Sequence, residues 1–187
     1  MPQAKTLTQG ELDQVLRYIA TTHNPTRNRV LVLMSFWSGL RVGEIAALRI
    51  CDVRNDDGSI KQEVRLEAAQ TKGRHGRVVF LNDKLRCELA QYLRNNNRAL
   101  HLPLFPTAKR AGFTANTLTQ WFYWLYKKAG IAGASSHSGR RTFITSLANK
   151  GVGVRVLASL AGHRSIAITQ AYIDVNDEMR RRAVELV

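Results

Sequence analysis

The stretch Leu160–Asp174, LAGHRSIAITQAYID, decides how the rest of the chain is read. A glycine–histidine turn at Gly162–His163 leads into a short helical segment, and Tyr172 stands nine residues after the histidine. Taken alone, Tyr172 is a half-buried aromatic with a satisfied hydroxyl and His163 is a helix cap. Both change meaning if the fold gathers cations beside them, and cations are abundant. Lys and Arg number 28 against 14 Asp and Glu, a formal net charge of +14 over 187 residues. Such an excess suits a polyanionic partner, nucleic acid first of all. An acidic membrane surface is the competitor, but no apolar run is long enough to span a bilayer and no signal or lipidation motif is seen. A cytoplasmic protein with no membrane partner is therefore expected.

The length suits one domain over 1–187. The pattern is α+β and mainly α. Thr8-x-x-Glu11 reads as a capping box before ELDQVLRYIA, and Asn24-Pro25 caps and opens a second, apolar helix that Gly39 ends. A short helix follows at about 43–48. RICDV, IKQEVRLEAA and GRVVFL then read as a small three-stranded antiparallel sheet, its last two strands joined by the basic turn QTKGRHG. Leu85, Leu89 and Leu93 share one helix face, and TLTQWFYWLYKKAG carries a Trp/Tyr/Leu stripe that stops at Gly130. The prolines of NRALHLPLFPTAKRAGFT mark a loop, not a domain boundary. Cys51 and Cys87 have no partner at ligand spacing, so they are expected as buried free thiols, with no disulfide framework and no metal site.

Four stretches place a cation or a proton-transfer group where a helix or hairpin ends. SGLRVGEIAALR puts Arg41 beyond a helix C-terminus with Glu44 three residues on, close enough to orient the guanidinium. SHSGRRTFIT puts His137 and Arg140 on one face of a helix. The QTKGRHG turn carries Lys72, with Arg74 and Arg77 flanking it, and the fourth stretch carries His163 and Tyr172. Singly, the arginines are surface ion pairs and Lys72 is a solvated turn residue. Together they offer two guanidinium forks for phosphate oxygens, two histidines and a phenol nucleophile, a phosphoryl-transfer site without a metal or other cofactor. A polar face at Asn116, Thr117 and Gln120, at the start of the Trp/Tyr helix, is the candidate for base reading. The alternative there is a solvated N-cap.

The order Arg41, Lys72, His137-x-x-Arg140, His163, Tyr172 resembles the catalytic domain of the tyrosine recombinases, the phage-integrase family, over about Leu7 to Val175. The resemblance implies that Tyr172 attacks a scissile phosphodiester to form a 3′-phosphotyrosine bond and release a 5′-hydroxyl. It implies that Arg41, Arg140 and His163 bind the non-bridging oxygens, that His137 assists proton transfer and that Lys72 protonates the leaving 5′-oxygen. The implied partner is double-stranded DNA with paired half-sites, bound by a homotetramer that is a monomer or weak oligomer without DNA. The implied setting is bacterial or phage-derived and nucleoid-associated.

Two departures stand out. Arg141 occupies a position where many relatives have histidine and is read as an added DNA contact. The chain also begins almost at the catalytic domain's first helix, without the N-terminal core-binding domain that relatives usually carry, so a natural single-domain member and a fragment of a longer protein are both open. A type IB topoisomerase-like strand transferase and a non-catalytic DNA-binding regulator are the competing readings. The tail NDEMRRRAVELV reads as a helix with an apolar stripe at Met179, Ala183, Leu186 and Val187. That stripe packs either on its own domain or on a neighbouring protomer.

Overall fold

A computed structural model describes residues 4–71, 75–108, 110–173 and 177–185. Helix α1 (Gln9–Ala20) starts at the expected capping box: the Glu11 amide donates to the Thr8 hydroxyl at 3.2 Å and the Thr8 amide to the Glu11 carboxylate at 2.9 Å. Helix α2 (Pro25–Ser38) has Pro25 in its first turn, but Asn24 makes no side-chain cap. Asn24 instead adopts a left-handed backbone, φ +61°, which asparagine tolerates and which turns the chain sharply out of α1. The buried Asn28 amide closes this turn by donating to the Thr22 hydroxyl and the His23 carbonyl. Val30 to Met34 have no exposed surface, so α2 is apolar all round and serves as the central post for α1, α5 (Asp83–Leu93) and α7 (Ser138–Asn149).

Gly39, φ +64°, ends α2 as expected, and α3 (Val42–Ala47) leaves at once to pack on α6 (Ala115–Lys128). The expected three-stranded sheet is a two-stranded one among the described residues. RICDV forms a single helical turn, α4 (Ile50–Val53), because the Asp52 carboxylate reaches back to accept from the Arg49 amide at 2.8 Å. Only isolated bridges, Arg49 with Pro103 and Arg54 with Ile60, flank it. Strands β1 (Glu63–Leu66) and β2 (Arg77–Phe80) pair antiparallel, Glu63 opposite Phe80 and Leu66 opposite Arg77. Val64, Leu66 and Val79 face the core.

Leu85, Leu89 and Leu93 of α5 are buried on one face, as their spacing requires. The α6 stripe is Leu118, Phe122, Leu125 and Tyr126, with Trp121 packed beside it. Tyr123 and Trp124 turn outward, because only every third or fourth position of a helix meets the core. The thiols also depart from expectation: Cys51 is half-buried and Cys87, two positions from Leu85 and Leu89, is carried to the exposed face of α5. The chain closes with α8 (Val154–Ala161), α9 (Ile166–Gln170) and α10 (Asp177–Val184). Of the expected tail stripe, Ala183 is exposed, while Leu186 and Val187 lie outside the described residues. No helix among the described residues is long and apolar enough to cross a membrane.

Candidate active site

Three arginines from three elements meet at the C-terminal end of α8. A helix end leaves its last carbonyls without intrahelical partners and carries partial negative charge. Here three consecutive carbonyls each accept from a different guanidinium. Arg77 Nη1 donates to Leu160 O at 2.9 Å, Arg140 Nη2 to Ala161 O at 2.5 Å and Arg41 Nη2 to Gly162 O at 3.0 Å. Arg140, in the first turn of α7 and 5% exposed, is also held by the Gly39 carbonyl at 2.7 Å. Burial, then the charges of Arg41 and Arg77, push Arg140 down to about 9, so it remains a cation at neutral pH.

The counter-charge is Glu44, 1% exposed. Its carboxylate accepts from the Arg41 amide at 2.8 Å, Arg41 Nη1 at 2.9 Å, Arg77 Nε at 3.2 Å and Arg77 Nη2 at 2.7 Å. Burial by itself would raise its carboxyl. The hydrogen bond and charge of Arg77, with those of Arg41, outweigh that and hold it below the ordinary value. The site is thus a cationic cluster fixed by one buried carboxylate and one helix end, with donors left on Arg41 and Arg140 that no backbone group among the described residues takes up.

Gly162 turns the chain with φ +62°, and His163 follows, its amide returning to Ala158 O at 2.9 Å. The imidazole Nδ1 lies 2.9 Å from the hydroxyl of Thr169, which is wholly buried. Burial, then Arg140, Arg41 and Arg77, lower His163 to about 4, so it is neutral at pH 7. Tyr172 does not sit on a helix, as the spacing suggested. It lies in the turn just beyond α9, because α9 ends at Gln170, and Thr145 donates to its carbonyl at 3.3 Å. Its ring stacks on His163 with centroids 5.5 Å apart, and the Arg141 guanidinium stands 5.4 Å from its centre.

Arg140, Ile168 and Tyr172 line two adjoining hollows. The first, about 680 Å³, is lined by Arg41, Arg77, His163 and Arg164. The second, about 940 Å³, contains His137 and Arg141. Arg41, Arg140, His163 and Tyr172 are therefore brought together. His137, at the start of α7 and exposed, belongs to the adjoining hollow. Lys72 and Arg74 lie outside the described residues, although Thr71 and His75 on either side line the first hollow. Arg77 is in the cluster itself, 11% exposed, with all three guanidinium nitrogens engaged. Asn116, Thr117 and Gln120 are exposed on α6 and line neither hollow; the Thr117 hydroxyl is tied to the Thr114 carbonyl, and Gln120 borders a shallow groove with Tyr123 and with Ser135, which also lines the second hollow. Sequence reasoning missed Thr169, whose only signal is a hydroxyl six residues after His163, and took Glu44 for a partner of Arg41 alone.

The family model described as the phage integrase family matches residues 5–179, and the chain belongs to that family. Among its relatives, the tyrosine recombinase XerA of Thermococcus kodakarensis is 32% identical over 185 residues, which cover 97% of this chain and 62% of that protein. The chain thus spans about three-fifths of the length of the curated relatives it matches. Among solved structures, the crystal structure of XerA recombinase superposes with a TM-score of 0.75 at 26% identity, covering 100% of this chain and 66% of that one. The Tn1549 transposon integrase in complex with circular intermediate DNA shares the fold, with a TM-score of 0.74 at 20% identity over 99% of this chain and 67% of that one.

Proposed function

We propose that this chain cleaves and rejoins duplex DNA at specific sites through a 3′-phosphotyrosine intermediate. The observation that carries the reading is the placement of the Tyr172 ring on the wall of the hollow where Arg41, Arg140 and His163 converge. A phenol is a weak nucleophile at neutral pH and needs neighbouring cations or a base. Tyr172 Oη forms a bond to phosphorus as the P–O5′ bond breaks, and the phenolic proton leaves toward His137 or solvent. The 5′-oxygen takes its proton from Lys72. Unsatisfied donors of Arg41 and Arg140 receive the charge that develops on the non-bridging oxygens, which lets the step run without a metal ion, and fixed guanidinium groups act without reorganising. Neutral His163 adds a hydrogen bond without adding a fourth positive charge to the cluster.

The phosphotyrosine ester conserves the energy of the broken bond, so rejoining needs no ATP. The partner in this reading is DNA with paired half-sites, occupied by four copies that exchange their tail helices in a closed ring. Its supports are the charge of +14, the family's recombinases and the DNA held by the Tn1549 integrase. Arg141 contributes by holding the Tyr172 ring, and exposed Asn116, Thr117 and Gln120 are the candidates for groove contact. The test is covalent trapping on nicked suicide DNA. The wild-type chain yields an adduct that survives SDS, and Tyr172→Phe yields none while retaining DNA affinity. An undiminished adduct in Tyr172→Phe would defeat the reading, and recombination between paired sites separates a recombinase from a topoisomerase-like enzyme.

A further inference from the structure

Arg77 was expected to be a DNA contact beside Lys72, yet its surroundings are those of an internal tie. Its Nε and Nη2 grip both oxygens of Glu44, and its Nη1 reaches the Leu160 carbonyl at the end of α8. Glu44 in turn holds Arg41 by its side chain and by its backbone amide. The Leu160 carbonyl lies three residues before His163 on the same helix end. One planar guanidinium therefore bridges the element that supplies Arg41 and the turn that supplies His163. Gly162 makes room for it: a Cβ there would meet Arg77 Cδ at 2.5 Å and Nε at 3.0 Å. The glycine of the GHR turn thus serves two needs, a left-handed backbone and a bed for the arginine.

We infer that Arg77 is a positioning residue that fixes Arg41 and His163 in one geometry around the phosphate, and that it is not itself a phosphate ligand. The inference rests on the strand-transfer reading for its consequence in catalysis, but the tie exists in the free protein. Arginine suits the site because three separate bonds leave one rigid fork, whereas a lysine ammonium donates from a single nitrogen and does not reproduce the spacing of that fork. Burial, then Arg140 and Arg41, lower the His163 imidazole most, and the charge of Arg77 adds to them.

Arg77→Met and Arg77→Lys are compared with wild type in the full chain. On a half-site duplex, both variants should keep the wild-type Kd within about twofold and the wild-type dependence on salt. In single-turnover cleavage of nicked suicide DNA, the covalent adduct should form on the order of 100-fold more slowly in Arg77→Met, the cost of an ångström-scale misplacement. Arg77→Lys should recover only a small part of that rate. In NMR of the protein without DNA, the His163 imidazole, assigned through His163→Gln, should titrate at higher pH in Arg77→Met than in wild type. A salt slope reduced by about 0.9 in Arg77→Met would identify a phosphate contact and overturn the inference. A wild-type adduct rate in Arg77→Lys would overturn it too, and that variant decides the matter if Arg77→Met does not fold. If the wild-type chain forms no adduct on any DNA, the strand-transfer reading fails, and an Arg77→Met variant that melts like wild type would then separately remove the tie.

Discussion

Replacing Glu44 with glutamine keeps the shape of the side chain but removes the carboxylate that, among the described residues, pairs with Arg41 and Arg77 beside Arg140. Four donors now converge on its two oxygens at 2.7–3.2 Å, and the side chain is 1% exposed. In Glu44→Gln one oxygen becomes an amide nitrogen that faces guanidinium donors, and the neutralising charge is lost. Breaking a buried pair by removing one partner costs about 3–5 kcal/mol, because the remaining charge stays buried. For a domain of this size each kcal/mol moves Tm by roughly 2–4 °C, so a fall of roughly 6–20 °C is expected. The effect carries a pH signature. The Glu44 carboxyl is held below its ordinary value, so its stabilisation is present above the unfolded value of about 4.3 and is lost as pH falls through the folded value. Urea unfolding of wild type and variant should show the full gap at pH 7 and a gap that narrows in acid below about pH 4.3. A gap under about 1 kcal/mol at pH 7, or one that does not narrow in acid, would refute the assignment of Glu44 as the counter-charge of the cluster.

Two further outcomes follow from the same geometry. Gly162→Ala should cost about 1–3 kcal/mol, because an alanine at φ +62° is strained and its Cβ displaces Arg77, and the adduct rate should fall with it; unchanged melting and cleavage would contradict the packing at this turn. His163, lowered to about 4 in the folded state against about 6.5 unfolded, should make stability fall as pH drops through that window and leave it flat above, since the unfolded chain binds the proton first. Denaturant titrations at several pH values should show that slope in wild type and lose it in His163→Gln.

Helix positions were legible wherever a local device sets them. Thr8 and Glu11 write a capping box into adjacent positions, and Leu85, Leu89 and Leu93 write a face into a period. RICDV was misread because its β-prone residues are outweighed by one carboxylate, Asp52, that returns to the Arg49 amide. The residues of the candidate site could be named from their motifs, but their mutual placement could not. Nothing in the local sequence says that Leu160, Ala161 and Gly162 will each receive a guanidinium, because the donors come from positions 41, 77 and 140. The engagement of Arg77 was hidden for the same reason: a basic turn suggests solvent and phosphate, whereas β2 carries this residue inward to Glu44. Arg141, likewise, reads as an added DNA contact, and only the fold brings it over the Tyr172 ring.

The central claim, that Tyr172 becomes joined to DNA, is tested most directly by mapping the adduct. The wild-type chain is trapped on nicked suicide DNA, digested with nuclease and trypsin, and analysed by tandem mass spectrometry. Cleavage after Arg164 and Arg180 releases residues 165–180, which contain Tyr172 as their sole tyrosine. The expected product is a nucleotide remnant joined through phosphate to Tyr172 in this peptide. A remnant on Tyr18, Tyr92, Tyr123, Tyr126 or a serine instead, or no covalent remnant in a reaction that cuts the DNA, would contradict it.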